Sequence, residues 1–222
     1  MIEHCRQLLA QARKDFLLDP NTFVVMDPVA EFLRHQAGNV TSQNGEDGLL
    51  AALFSRIGIT NRWCFEVGAH NGHYLSNTWL LREDSWQAVL IEGDPSLFAS
   101  LKERFDDTAI VVEAMIGPNS LDRILAEVAC PDRPDLGVID IDGPDIEILR
   151  GLVYFRPRVL LVEINPAGDG ILGGLGVWQA GWESVAAVAE KKRYRPLLRT
   201  GSNLLLLDEA EAAFLTRQQR AW

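Results

Sequence analysis

Beyond residue 62 the chain repeats one pattern, a short and continuously apolar β-rich run followed by a helical stretch, and no other feature limits its fold as strongly. The runs fall at 63–69, 88–92, 109–116, 136–141, 159–164 and 203–207. Helical patterns lie between them at 73–83, 95–105, 120–129, 145–154 and 181–194, with one more at 46–56 ahead of the first run. This alternation predicts a parallel sheet flanked by helices. Runs that are apolar throughout, rather than at every second residue, predict strands covered on both faces. The end of the chain departs from the pattern: runs 195–200 and 203–207 are separated by Gly201-Ser202, which is a hairpin signal.

A chain of 222 residues suits one large domain, with or without an appended arm. Its first forty residues differ from the rest. Leu8, Leu9, Phe16 and Leu17 recur at roughly helical spacing, and Asp19-Pro20 and Asp27-Pro28 then interrupt, so 1–41 reads as an N-terminal helical arm. The balance of 21 basic and 31 acidic residues, net −10, argues against nucleic acid or an anionic lipid surface as partner. No segment approaches the ~20 apolar residues of a membrane span, and the N-terminus lacks the basic and apolar regions of a secretory signal. Cys5, Cys64 and Cys130 suggest neither a disulfide framework nor a cysteine zinc site, which predicts a reducing, cytoplasmic home.

In an open α/β sheet, ligands bind beyond the carboxyl ends of the strands, where strand order reverses. Four predicted strands end in acids there: Glu66, Glu92, Asp140 with Asp142, and Glu163 followed by Asn165. Gly68 and Gly72 allow a tight turn from the first strand, but the G-x-G-x-x-G fingerprint of a dinucleotide site is absent. An E-x-G-x-x-x-G loop suits a ligand without phosphates, with Glu66 available to a cationic amine, or it is a plain strand-to-helix turn. Glu92 follows Gly68 at close to the ~20-residue spacing at which a strand-end acid accepts hydrogen bonds from ribose hydroxyls. No Walker phosphate cradle and no Tyr-x-x-x-Lys pair occur, which disfavours nucleotide triphosphatases and nicotinamide oxidoreductases.

Six short segments carry a resemblance: Ser42-Gln43-Asn44-Gly45-Glu46-Asp47-Gly48, Phe65-Glu66-Val67-Gly68-Ala69, Leu75-Ser76-Asn77-Thr78, Leu90-Ile91-Glu92-Gly93-Asp94-Pro95, Ile139-Asp140-Ile141-Asp142-Gly143 and Val162-Glu163-Ile164-Asn165-Pro166. Together they resemble the FkbM-type AdoMet-dependent methyltransferases. The resemblance implies a Rossmann-like class I methyltransferase fold over 42–222, a mainly parallel seven-stranded sheet with an antiparallel C-terminal hairpin. It implies methyl transfer from S-adenosylmethionine to a hydroxyl oxygen of a sugar or secondary metabolite. By resemblance Gly68, Ala69 and Gly72 form the cofactor loop, Glu92 holds the ribose, and Ala114 and Met115 lie near the adenine. Gln43, Glu46, Ser76 and Asn77 would close the methionine end, Asn44 and Asp47 being alternatively helix caps. The family commonly carries Asp where this chain has Asn71.

A hydroxyl acceptor must lose a proton, to a carboxylate or histidine or through a divalent metal. Asp140, Asp142 and Glu163 form an oxygen set that Mg²⁺ would accept, with Asn165 as a neutral partner. Otherwise Asp140 orients substrate or cofactor, and Asp142 caps the helix opening at Pro144. His70, and less readily His73, could act as base. Trp178 and Trp182 follow a Gly-rich stretch at 168–176 that reads as an active-site loop, and they could stack on an acceptor or anchor a helix. The expected partner is a small or glycosylated acceptor, with a homo-oligomer open. A catalytically silent binding or scaffold protein on the same fold is the alternative.

Overall fold

A computed structural model of the chain describes residues 1, 3–19, 22–105, 108–171 and 176–220. In chain order these are α1 (Glu3–Asp15), β1 (Val24–Val25), a 3-10 helix (Pro28–Leu33), α2 (Glu46–Ile57), β2 (Trp63–Val67), α3 (Trp79–Glu83), β3 (Gln87–Glu92), α4 (Pro95–Phe105), β4 (Ile110–Glu113) and α5 (Leu121–Glu127). There follow β5 (Leu136–Ile139), α6 (Asp145–Gly151), β6 (Val159–Glu163), β7 (Gly170–Ile171), β8 (Trp178–Gln179), α7 (Trp182–Lys191), β9 (Tyr194–Arg199), β10 (Asn203–Asp208) and α8 (Glu209–Arg220).

The main sheet has the order β1-β9-β10-β6-β5-β2-β3-β4. Strands β2 to β6 pair in parallel, and β10 runs antiparallel between β6 and β9. This is the expected parallel sheet with its antiparallel hairpin. The apolar runs sort by alternate residues onto two layers. Ala88 and Leu90 of β3 join a core beneath α2, α4 and α8, whereas Val89 and Ile91 join a core beneath α5, α6 and α7.

Four elements differ from the sequence reading. Within the segment read as a helical arm, Val24–Val25 forms β1 and adds an eighth strand to the edge at β9. Phe23, Val29, Ala30 and Leu33 of that segment are buried in the sheet's own core. The helix expected over 73–83 is shortened to Trp79–Glu83, because the preceding turn is held open by Glu66 as described below. Gly170–Ile171 pairs with Trp178–Gln179 as a separate ribbon, and the expected short tail is α8. Part of the Gly-rich stretch, 172–175, lies outside the described residues.

Candidate functional site

Strand order reverses between β2 and β5, whose neighbours on the far sides are β3 and β6. The carboxyl ends of these four strands bring Glu66, Glu92, Asp140 and Glu163 to one edge, as the acidic strand ends predict. Gly68 turns the chain out of β2 at a φ of 78°, and a Cβ there would stand 1.7 Å from the Asp140 carbonyl oxygen. That position therefore tolerates only glycine. Gly72 has a φ of 72°, and its missing side chain is where Phe105 and Leu101 of α4 pack. The second glycine makes room for a helix. Between them Asn71 closes the turn, its Oδ1 accepting from the N–H groups of His73 and Tyr74 at 3.0 and 2.8 Å.

Glu66 is 3% exposed and its carboxylate organises the following turn. Oε2 accepts from Ser76 Oγ at 2.7 Å and Thr78 Oγ1 at 2.6 Å, and Oε1 accepts from the Asn77 N–H at 2.7 Å. These bonds hold 76–78 out of helical geometry and place Ser76 and Asn77 against the strand end. Arg82, from α3, donates to the Gly72 carbonyl and lies over the Phe105 ring. Asn77 Oδ1 is buried here with no hydrogen-bond donor. A buried amide oxygen left this way is costly and wants a donor from outside the chain.

Glu92 accepts from the His70 N–H at 2.7 Å and the Asp94 N–H at 2.8 Å, one on each oxygen. A carboxylate offers about four lone-pair sites, so acceptor capacity remains for a diol. His70 stands in a left-handed conformation with φ 50°, and its Nδ1 accepts from the Asn71 N–H at 2.8 Å. Only the other ring nitrogen is left for proton transfer. Ala69 is buried, and its N–H donates to the Ile91 carbonyl at 3.0 Å. Ala114 bonds back to the Glu92 carbonyl, and Met115 beside it is 82% exposed, its sulfur lying over Gly93. An open thioether at this strand end is suited to covering a flat ring.

Asp140 and Glu163 end neighbouring strands, β5 and β6, and their ionisations are linked. Burial first, then the nearby Asp145, Glu66 and Asp142 charges, raise Asp140 far above the usual carboxylate range. Burial and the Asp140 charge raise Glu163 in the same way. Neighbouring buried carboxyls disfavour ionising together, which displaces both toward the protonated form.

The expected Mg²⁺ set is not assembled. Asp142 reaches Glu163 through its N–H at 2.7 Å, not through its carboxylate, which is exposed. Asn165 is used locally, its Oδ1 accepting from the Ala167 N–H at 3.0 Å. Among the described residues no group of three or more acids, histidines or cysteines is placed to hold a metal.

Asp142 does not cap α6 either. Asp145 does the work of ordering this loop, accepting from the Ile141 and Gly143 N–H groups at 2.9 and 3.1 Å. Burial pushes its carboxyl up to about 6. Gln179 from β8 donates to it at 3.4 Å, which ties the β7–β8 ribbon over the acidic loop. Sequence reasoning missed Asp145 and Gln179; an acid directly after Gly143-Pro144 was the one available signal, and Gln179 gave none. On the ribbon Trp178 stays half open, whereas Trp182 packs on the core beneath the Arg199 guanidinium.

The Ser42–Gly48 segment packs against the β9–β10 turn. Glu46 is fully buried, and Oε1 accepts from Thr200 Oγ1 at 2.8 Å and Asn203 Nδ2 at 3.0 Å. Its Oε2 accepts from the Asn44 N–H at 2.7 Å. Asp47 Oδ2 gathers the N–H groups of Val40, Thr41 and Ser42 and so does not cap α2, whose N-cap is Gly45. Gln43 is exposed and accepts from Ser202 Oγ at 3.3 Å. The segment thus locks the start of α2 to the β9–β10 turn.

No family model matches the chain, and no curated protein does. Solved structures do. The O-methyltransferase from Bacillus cereus in complex with SAH is 15% identical, aligned over 92% of this chain and 100% of its own, with a TM-score of 0.51. The O-methyltransferase TomG from Streptomyces achromogenes, involved in tomaymycin synthesis and in complex with SAM, is 19% identical over 94% of this chain and 100% of its own, with a TM-score of 0.50. At such identities the likeness concerns the fold, which is the Rossmann-like fold of the class I methyltransferases.

Proposed function

We propose that this chain is an AdoMet-dependent O-methyltransferase of the FkbM type, acting on a hydroxyl of a sugar or another small metabolite. The observation that carries this reading is Glu92, at the end of β3 beside the strand-order reversal, with one backbone donor on each oxygen and acceptor capacity left on both. The residues present suit the cofactor. Glu92 would hold the ribose diol, Met115 would cover the adenine, and the unpartnered Asn77 Oδ1 would accept a hydrogen bond from the methionine ammonium. AdoMet supplies the electrophilic methyl group, and the chain's task is to align the acceptor and remove its proton. Gln43 and Glu46 serve by fixing the β9–β10 turn rather than by touching the cofactor.

The Asp140–Glu163 pair is the proton acceptor in this scheme. Holding one shared proton, it keeps one carboxylate whose raised basicity is better matched to a hydroxyl than an ordinary carboxylate is. The acceptor O–H bond breaks as the oxygen takes the methyl group, and the released proton passes to the pair. His70 is secondary, since one of its nitrogens is already engaged. The catalytic unit is 42–222, to which 1–41 adds an edge strand and part of the core. A cytoplasmic setting goes with this reading, supported by three free cysteines that are all buried. Among the described residues no helix is long and apolar enough to cross a membrane.

Calorimetric titration tests the reading. AdoMet and its demethylated product should both bind the folded protein, and Glu92→Ala should weaken both by at least about tenfold, or ~1.4 kcal/mol. Absence of heat with either ligand would overturn it. A screen for methyl incorporation into hydroxylated acceptors would then define the substrate.

A further inference from the structure

Away from the acidic edge, a cleft of about 560 Å³ opens between α1, the C-terminal half of α2 and the residues leading into β3. Its walls are apolar, with Leu9, Phe32, Phe54 and Leu81 among them. Trp86 lines it with an edge-on contact to Phe54, ring centroids 5.0 Å apart. The indole is 3% exposed, yet its Nε1–H has no acceptor. A buried indole N–H ordinarily finds a partner, and leaving it without one costs free energy.

Three arginines line the same cleft, of which Arg6 pairs with Glu3 at 3.8 Å. Arg13 spends Nε and Nη2 on the Gln36 and Gly48 carbonyl oxygens, both at 3.1 Å, so its charge meets neutral acceptors only. Arg56 lies over the Phe32 ring at 5.1 Å. Among the described residues neither forms an ion pair, in a chain whose net charge is −10. Asp84, also in the lining, is engaged with Arg62. Burial also lowers the ionisation of Arg13 from the usual arginine range, so a nearby anion would relieve it.

We infer that this cleft binds an amphipathic carboxylate, with the head group on Arg13 and Arg56, the apolar body between α1 and α2, and a carboxylate oxygen accepting from Trp86 Nε1–H. The combination of apolar walls with a few convergent polar groups, at this volume, is that of a small-molecule site. The site is separate from the proposed reaction centre, because Trp86 precedes β3 at its amino end whereas Glu92 closes it at the carboxyl end. Its occupation does not depend on the methyltransferase reading.

Octanoate is the probe, with octan-1-ol and inorganic phosphate as the apolar-only and anion-only arms. Titration of the full chain by calorimetry and by ¹⁵N spectroscopy of its six indole N–H signals reads both affinity and place. Octanoate should saturate in the sub-millimolar range, on the order of 10⁻⁴ M, and move the signal that Trp86→Phe deletes. Octan-1-ol and phosphate should bind at least about tenfold more weakly, and Arg56→Leu, an exposed change that leaves the fold alone, should cost octanoate about fivefold or more. Arg13→Met should cost as much, although loss of its two carbonyl bonds makes Arg56→Leu the cleaner variant. Equal binding of octanoate and octan-1-ol, equal binding of phosphate, or an unmoved Trp86 signal would each overturn the proposal.

Discussion

At the amino edge of the sheet Asp135, Asp208 and Glu211 are buried or half-buried, and each meets arginine. Arg158 joins Asp135 at 2.7 Å and Glu211 at 2.8 Å, and Arg156 joins Asp208 at 2.6 Å. At the carboxyl edge Glu66, Glu92, Asp140 and Glu163 are buried to a similar degree, and among the described residues none lies within ion-pair distance of a lysine or arginine. Backbone N–H groups and hydroxyls donate to Glu66, Glu92 and Glu163 instead. The same residue type thus does two tasks. An acid paired with arginine is committed to the fold, since its charge is cancelled and its lone pairs are taken. An acid satisfied by neutral donors keeps spare acceptor capacity for a ligand, and in Asp140 and Glu163 the ionisation is displaced upward as well, which suits proton transfer.

The largest break in this comparison should come at the amino edge. Arg158 is 5% exposed and also donates to the Ile57 and Gly58 carbonyl oxygens, so it ties the end of α2 to β5, β6 and α8. Arg158→Met should leave the buried Asp135 without its cation, held only by the Thr60, Asn61 and Arg62 N–H groups, and destabilise the fold by about 3 kcal/mol. Urea unfolding measures this. AdoMet affinity below the transition should stay unchanged, and a loss under about 1 kcal/mol would mean that the two edges are not as different as their partners suggest. At the carboxyl edge Glu66→Gln should cost less, about 1–3 kcal/mol, because it sets an NH₂ against one of three donors while keeping the shape. It should also weaken AdoMet binding by releasing Ser76 and Asn77, a coupling that Arg158→Met should not show.

Much of this contrast is legible in the sequence, and what is not has a common cause. The acidic strand ends were visible because each lies directly after an apolar run, and the sheet edge then gathers them without further information. Partners distant in sequence were not visible. The turn at 76–78 reads as helix until the Glu66 carboxylate reaches it across ten residues. Gly72 reads as a ligand loop until Phe105 occupies the space above it. Asp142 reads as a metal ligand or a cap, yet only its backbone is used, because Asp145 has already taken the loop's N–H groups. Likewise β1 has two residues and no pattern of its own, and it is a strand because β9 offers an open edge. Glu46 reads as a helix start or a cofactor contact, and its use by Thr200 and Asn203 depends on a hairpin more than 150 residues away.

The finest distinction between the edges is in their response to pH. Asp140 and Glu163 are raised in the folded protein by burial and by the neighbouring acid charges, whereas in the unfolded chain both titrate near pH 4. Between those values the folded state binds more protons than the unfolded state, so this pair makes stability fall as pH rises, by up to about 1.4 kcal/mol per pH unit for each extra proton held. Glu163→Gln removes one of the two carboxyls and leaves a neutral side chain that can donate to Asp140. Its stability should match or fall slightly below that of the parent near pH 5, and exceed it by about 1 kcal/mol near pH 8, with a shallower slope between. Urea unfolding across that range is the measurement. Methyl transfer should fall in the same variant at every pH, because an amide cannot share the pair's proton. Parallel slopes for parent and variant would remove the pair as the origin of the dependence. The carboxyl edge would then be charged in the same inert way as the amino edge, with Glu92 alone left to recognise the ligand.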